Sequence, residues 1–321
     1  MKTRKLGKSG LEVSTLMLGG NVFGWTLDEP ASFKILDAYV GAGLNFIDTA
    51  DVYPKWAPGN VGGESETIIG NWFKRSGKRK DVILATKVGS EMSPDKKGLS
   101  RTYILQAVED SLRRLQTDYI DLYQSHRDDS VTPHEETLET YDRLMQQGKV
   151  RTIGASNFTP ERLRAALQAS RQHGLPRYES LQPLYNLYER SEYEAALERV
   201  CVENGLGVIP YFSLASGFLT GKYRSEADLK KSARGESVKK YLNERGSRIL
   251  KALDEVARVN HSTPAAVALA WLMARPSITA PIASATSINQ LNVLIAATQL
   301  NLDSPSIELL NQASAPLATQ A

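Results

Sequence analysis

The sequence predicts an α/β protein built as a single (β/α)8 TIM barrel with an N-terminal β-hairpin. Three observations carry that expectation. Short apolar runs alternate with amphipathic stretches along nearly the whole chain, and strands alternating with helices build a parallel sheet covered by helices. Eight such units within 321 residues match a closed barrel in strand count and length. An open doubly wound sheet usually carries G-x-G-x-x-G after its first strand. Here Leu18-Gly19-Gly20-Asn21 follows the first barrel strand, and that fingerprint occurs nowhere in the chain.

The elements follow in order. Residues 4–13 read as a hairpin turning at Lys8-Ser9-Gly10, placed to plug the barrel floor. Barrel strands are expected at 15–18, 45–48, 82–87, 119–123, 150–156, 180–185, 207–211 and 278–283. Helical patterns lie between them at 30–42, 64–75, 100–115, 135–147, 160–173, 192–204, 244–260 and 263–275, with 288–297 after the last strand. Thr159-Pro160 and Thr263-Pro264 each put a capping hydroxyl before a proline at the first helical position. Gly148 and Gly174 stand where helices should stop. The irregular segment is 213–245, rich in Gly, Ser and Lys, and long loops in compact domains are usually functional. No linker or low-complexity segment interrupts the pattern, so residues 1–321 read as one domain.

Composition limits the function classes. Hydrophobic residues make up 41% and charged residues 23%, ordinary for a soluble globular protein. A chain of this length buries a sizeable core without disulfides or metal staples. The 39 basic and 36 acidic residues leave a formal charge of +3, too even a balance to point to nucleic acid or a membrane surface. Cys201 is the lone cysteine and reads as a small buried apolar residue on a helix. No His/Cys cluster has zinc-like spacing, so no metal is expected. The first ten residues are polar, and no apolar run approaches the ~20 residues of a membrane span. A cytoplasmic location is the expectation; the sequence leaves oligomeric state open.

In such a barrel the active site forms where the strands end. The second strand ends at Asp48, with Tyr53 just beyond it, and the third at Lys87. The fourth runs into Gln124-Ser125-His126, the fifth gives Ser156-Asn157, the sixth carries Gln182, and the seventh ends at Tyr211. Each has a purely structural reading: Asp48 as a cap, Tyr53 as a loop aromatic, Lys87 as a surface ion-pair partner, His126 as a satisfied core histidine. Joint placement of the four on three adjacent strands argues for function. The chemistry they suit is proton delivery beside hydride transfer. A carbonyl receiving hydride develops negative charge on oxygen and needs a proton. A tyrosine hydroxyl, with an ordinary pKa of about 10, gives its proton up reluctantly. A nearby lysine ammonium favours the tyrosinate and lowers that pKa. Asp48 supplies the counter-charge a buried lysine needs, and His126 can donate a hydrogen bond to the same oxygen.

With these residues in view, the sequence resembles the aldo-keto reductase family over essentially its whole length. The matching stretches are Arg4-Lys5-Leu6-Gly7-Lys8-Ser9-Gly10-Leu11-Glu12-Val13-Ser14, Gly43-Leu44-Asn45-Phe46-Ile47-Asp48-Thr49-Ala50-Asp51-Val52-Tyr53 and Gly154-Ala155-Ser156-Asn157-Phe158. The branch it looks most like is bacterial reductases related to the β subunits of voltage-gated potassium channels. The resemblance implies a catalytic tetrad of Asp48, Tyr53, Lys87 and His126, and a nicotinamide dinucleotide, usually NADP(H), bound without a Rossmann fold. By the same resemblance, Ser156, Asn157 and Gln182 hold the carboxamide, Tyr211 stacks on the nicotinamide, and Gly20, Asn21 and Asp48 approach the cofactor. The loop carrying Phe212, Ser213, Leu214, Ser216, Gly217 and Lys222 would close over the pyrophosphate, with Ser284, Thr286 and Gln290 along the adenosine half.

Two departures stand out. The family usually has Ser-Pro after the stacking aromatic, where this chain has Phe212-Ser213. Related proteins often carry Arg or Lys about where Thr286 stands and Asn about where Leu294 stands. Lys222 and Arg234 are the candidate replacements at the phosphates, since a guanidinium suits bidentate phosphate contact. Lys230, Lys231, Lys239 and Lys240 read as a solvated basic loop. NADP(H) is expected, with NAD(H) open. Trp25 and Trp56 are candidates for an apolar substrate pocket. Arg127 is a candidate contact to a polar substrate, its alternative being a salt bridge with Asp128 or Asp129. The expected activity is reduction of an aldehyde or ketone, or oxidation of the matching alcohol. A cofactor-binding regulatory subunit is the alternative; His126, where channel β subunits typically carry Asn, speaks against it. A phosphate-binding isomerase is disfavoured because no Gly-rich phosphate loop follows the seventh strand.

Overall fold

A computed structural model of the chain describes residues 2–315; Met1 and residues 316–321, the ends of the domain expected over 1–321, lie outside the described residues. The hairpin forms from β1 (Thr3–Lys5) and β2 (Glu12–Ser14), antiparallel, with Thr3 opposite Ser14 and Lys5 opposite Glu12. Leu6, Leu11 and Val13 are buried against Met17, Phe46, Ala85 and Leu122 from the barrel strands, so the hairpin plugs the floor. Gly207 makes room for it: a Cβ there would come within 2.7 Å of Leu6 Cδ1. The Arg4 guanidinium pins the hairpin by donating to the carbonyls of Met273 and Ile278.

Eight parallel strands form the barrel sheet: β3 (Met17–Gly19), β4 (Phe46–Asp48), β5 (Ile83–Val88), β6 (Ile120–Ser125), β7 (Val150–Ser156), β8 (Ser180–Gln182), β9 (Gly207–Val208) and β10 (Ile282–Ala283). They run in the order β10-β3-β4-β5-β6-β7-β8-β9. The ends of that row meet. Thr279 N–H donates to the Val208 carbonyl (2.8 Å) and Ile282 N–H to the Pro210 carbonyl (2.9 Å), closing the ring. The last three strands are shorter than the apolar runs 180–185, 207–211 and 278–283 suggest. Pro183, Pro210 and Pro281 stand in those runs, and a proline has no N–H to give the ladder.

The crossovers are α1 (Glu29–Gly41), α2 (Glu64–Ser76), α3 (Arg101–Leu115), α4 (His134–Gln146), α5 (Pro160–His173) and α6 (Glu198–Asn204), the last entered through a π-turn at Tyr193–Leu197. The segment 213–245 differs from the loop expected. It folds into short helical turns, α7 (Gly235–Val238) among them, and buries Phe218, Leu219, Tyr223, Val238 and Tyr241 in the main core. It therefore packs as part of the protein rather than as a solvated strap. Then come α8 (Glu244–Val259), α9 (Pro264–Ala274), α10 (Ile288–Ala297) and α11 (Ser304–Ser314). The last of these was not expected, although its signal is present: Asp303 accepts from the Ser306 N–H, with Pro305 in the first turn. Side chains of Asp28, Ser100, Thr159, Asn243, Thr263 and Ser287 cap their helices the same way, at about 1 kcal/mol each. No helix among the described residues is long and apolar enough to cross a membrane.

Candidate active site

The site is built by a period of two. Side chains at i and i+2 of a strand share a face. The inner layer of the barrel holds Met17, Phe46, Ala85, Leu122, Ile209 and Ile282. Two residues further along each strand direction stand Gly19, Asp48, Lys87, Gln124, Tyr211 and Ser284. The register that fills the barrel with apolar side chains therefore aims these residues at its C-terminal mouth. His126 continues the Leu122, Gln124 series by one more step.

There the lysine organises the charges. Lys87 Nζ donates to Asp48 Oδ2 at 2.7 Å, to the Thr49 carbonyl at 2.7 Å and to the Tyr53 hydroxyl at 3.2 Å, using all three protons. The side chains of Lys87 and Asp48 are 0% and 4% exposed. The other Asp48 oxygen accepts from Gln182 Nε2 (3.0 Å) and Gln124 Nε2 (3.4 Å). Burial alone would discharge the lysine, but Asp48 and Tyr53 outweigh it and hold the ammonium above its usual range. Tyr53 departs from the expectation of a lowered pKa. Burial pushes its hydroxyl above 10.0, and Lys87 opposes that push without overturning it. The imidazole of His126 is driven well below its usual range, by burial first and then by Lys87 and Arg127, so it is neutral. Its Nδ1 is buried without a hydrogen-bond partner, and its ring stands edge-on to Tyr53 with centroids 5.6 Å apart.

These residues open into a cleft of about 940 Å³. Along one wall Tyr53 meets Trp56 at 5.4 Å and Trp56 meets Trp25 at 5.7 Å between ring centroids. The Arg234 guanidinium lies 5.2 Å above the Trp25 ring. On the opposite side the Tyr211 hydroxyl donates to Asn157 Oδ1 (2.8 Å), Asn157 Nδ2 donates to the His126 carbonyl (2.9 Å), and Ser156 Oγ to the Gln182 carbonyl (2.9 Å). At the far end Ser284 Oγ donates to Asn21 Oδ1 (2.7 Å), and the Thr286 N–H and hydroxyl both donate to Gln290 Oε1. Phe212, Ser213, Leu214, Ser216, Gly217 and Lys222 also line it. In that loop Phe212, Ala215, Ser216 and Gly217 have φ of 53°, 48°, 57° and 96°. The turns close on themselves, with the Ala215 N–H donating to the Phe212 carbonyl (2.7 Å) and the Gly217 N–H to the Leu214 carbonyl (2.9 Å). Ser213 spends its hydroxyl on the Pro210 carbonyl (3.0 Å).

Nearly all the residues expected at the site thus share one cleft. Lys87 stands behind its wall, reaching the cleft through Tyr53. Gly20 is a correction: Gly19 lines the cleft instead. Gly20 backs onto the Asp48 carbonyl and Ser65 Oγ, both 3.0 Å from where its Cβ would be. The strand's alternation gives the cleft face to residue 19. Arg127 does not form either salt bridge considered for it. Asp128 is held by Arg162 (2.6 and 3.0 Å), and Asp129 accepts from the Leu99 N–H and the Thr132 hydroxyl. Arg127 is exposed and lines the cleft.

Gln124 was missed as a site residue, though its place two before His126 on one strand is a readable signal. Asp51 was missed for a different reason. Its main-chain N–H donates to the Lys87 carbonyl at 3.2 Å, while both carboxyl oxygens are buried without partners. Burial, then the neighbouring Glu66, push its carboxyl well above the usual range, against the opposing pull of Arg114 and Lys87. Glu66 itself is engaged by Arg114 (2.7 Å) and Thr86 (2.6 Å). Among the described residues no group of His, Cys, Asp and Glu is placed to hold a metal ion.

Comparison with known proteins agrees with this geometry. The model of the aldo/keto reductase family matches residues 15–315. An uncharacterized oxidoreductase of Bacillus subtilis, YrpG, is 37% identical over 319 residues, covering 97% of this chain and 95% of that protein. The aldo-keto reductase YhdN of the same organism is 33% identical, covering 97% and 93%. A probable voltage-gated potassium channel subunit beta of Arabidopsis thaliana is also 33% identical, covering 91% and 89%.

Proposed function

The chain belongs to the aldo/keto reductase family, an oxidoreductase family acting on carbonyl compounds, and from that premise we propose that it is an NADP(H)-dependent reductase of small aldehydes or ketones in which Tyr53 is the general acid. The observation that carries the reading is the hydrogen-bonded unit Asp48–Lys87–Tyr53 opening into one cleft with His126.

The residues present fit such a cofactor. The tight turns at 212–217 bring Ser216 and Gly217 to the cleft beside Lys222 and Arg234, a lining that suits a diphosphate. Arg234 has a buried Nη2 with no hydrogen-bond partner, and a Cβ at Gly19 would lie 2.6 Å from Ser284 Oγ, filling the cradle. Ser156, Asn157 and Gln182 would hold the carboxamide, with Tyr211 against the ring. When bound, the reduced nicotinamide supplies hydride to the carbonyl carbon. Tyr53 then gives its proton to the carbonyl oxygen, and Lys87 stabilises the tyrosinate left behind. Neutral His126 has a single N–H to offer, suited to orienting that oxygen. Asp48, satisfied on both oxygens, keeps the ammonium in place.

The direction of the Tyr53 shift sets a pH dependence. Reduction needs the protonated hydroxyl, and that hydroxyl is held above 10.0. We expect kcat/KM for a neutral aldehyde to stay level through the neutral range and to fall only as pH rises past that value. Alcohol oxidation needs the ionised form and should rise over the same alkaline range. A profile for reduction that breaks near the ordinary histidine pKa of about 6.5 would contradict Tyr53 as the acid.

Cofactor choice gives a second expected result. Lys222 lies over the Tyr223 ring and Arg234 over the Trp25 ring, neither in an ion pair among the described residues, which leaves them free for phosphate. NADPH should bind more tightly than NADH in fluorescence titrations. Arg234→Ala should weaken NADPH by roughly tenfold to a hundredfold, the usual range for a hydrogen bond to a charged group. Equal affinities, with no loss in Arg234→Ala, would make these two side chains solvated surface.

A further inference from the structure

We infer that Arg127 selects substrates carrying a carboxylate, so that the preferred carbonyl compound is an anionic aldehyde or ketone acid. This rests on the reductase reading above and adds a substrate class to it. Four observations carry the inference. First, Arg127 lines the cleft directly after His126 yet has no ion pair among the described residues, because Asp128 and Asp129 are committed elsewhere. Second, the one carboxylate among the described residues lining the cleft is Asp48, and it is closed off by Lys87, Gln124 and Gln182. Glu189 and Glu192 act on Tyr211 from outside that lining, where Arg127 opposes them.

Third, the strand order keeps Arg127 away from the cofactor's phosphates. In the closed ring, β6 lies four strands from β10 in either direction, so it is diametrically opposite. Ser284, Thr286 and Gln290 follow β10, whereas Arg127 follows β6. Lys222 and Arg234, proposed above for the phosphates, come from the segment after β9, Arg234 lying over the Trp25 ring. Fourth, the wall nearest Tyr53 is made by the rings of Trp25 and Trp56. A short carbon chain against those rings, with its carbonyl at Tyr53 and its carboxylate at Arg127, meets a matching group at each end. A planar guanidinium binds a carboxylate through two parallel hydrogen bonds, which a lysine cannot reproduce.

The test compares 4-oxobutanoate with its methyl ester, two aldehydes of similar size that differ in charge. The readout is the ratio of their kcat/KM values with NADPH, which cancels any general loss of activity. For the wild type the acid should be favoured by on the order of tenfold or more, the range for a charge-assisted contact weakened by exposure. Added salt should shrink the ratio, because exposed charges are screened within about 10 Å at 0.1 M. Arg127→Gln should bring the ratio close to one, and Arg127→Lys should keep part of it. An unchanged ratio in Arg127→Gln, or a wild type that does not favour the acid, overturns the inference. A second readout does not need turnover. Succinate titrated into the NADP⁺ complex should change tryptophan fluorescence saturably, and roughly tenfold more weakly in Arg127→Gln. If neither aldehyde is reduced but succinate binds through Arg127, the reductase reading fails while the anion site stands. If succinate does not bind at all, the anion site fails.

Discussion

Replacing Tyr53 by phenylalanine should lower kcat by a factor of about 10²–10⁴ while leaving the fold and cofactor binding in place. The substitution removes one oxygen. Its ring still packs against Trp56 and His126 at 5.4 and 5.6 Å between centroids, so the cleft wall survives. The hydroxyl hydrogen-bonds to Lys87 and to no other described side chain, so no second network collapses with it. What is lost is the proton donor, and that loss belongs to the transition state. The check is kcat on an aldehyde for which chemistry is rate-limiting, with NADPH affinity measured separately. Normal binding with near wild-type kcat would require another acid, and His126 would be the first to examine.

Replacing Lys87 by methionine should be costly twice over. The ammonium holds Asp48, the Thr49 carbonyl and Tyr53 together in a fully buried position. Breaking a buried ion pair by removing one partner typically costs about 3–5 kcal/mol, because the other charge is left behind. Urea unfolding should show that loss, and adding Asp48→Asn should recover part of it by removing the stranded charge. Turnover should fall as well. Lys87 opposes the burial that holds the Tyr53 hydroxyl high, so without it the tyrosinate is harder still to form. The kcat losses of Lys87→Met and Tyr53→Phe should not add, since both disable one proton-delivery unit. Additive losses, measured in the double variant, would separate the two residues.

Much of this was legible in the sequence, and the parts that were not share a cause. The barrel and the mouth residues follow from local pattern: a strand's two-residue period carries Phe46 to Asp48, Ala85 to Lys87 and Leu122 to Gln124. Helix starts at Thr159 and Thr263 were readable from a hydroxyl before proline. Closure was expected from strand count alone; the bonds that make it, from Thr279 and Ile282 to Val208 and Pro210, were not readable, because they join segments far apart in the chain. The same is true of the 213–245 segment. Its glycines and lysines read as a loop, yet Phe218 and Tyr241 stack in the core at 5.3 Å. The sign of the Tyr53 shift was misjudged because counting charges near a tyrosine leaves out burial, which dominates here. Asp51 sits in the motif itself, but the burial and the neighbouring Glu66 that raise its carboxyl are visible only in the folded chain.

The central claim, that this cleft turns over carbonyl compounds with NADPH, is tested most directly by following NADPH absorbance with purified protein and a panel of neutral and carboxylate-bearing aldehydes. The account predicts aldehyde-dependent oxidation of NADPH, catalytic in protein. Saturable NADPH binding with no consumption across the panel would contradict it and make the chain a cofactor-binding protein without turnover.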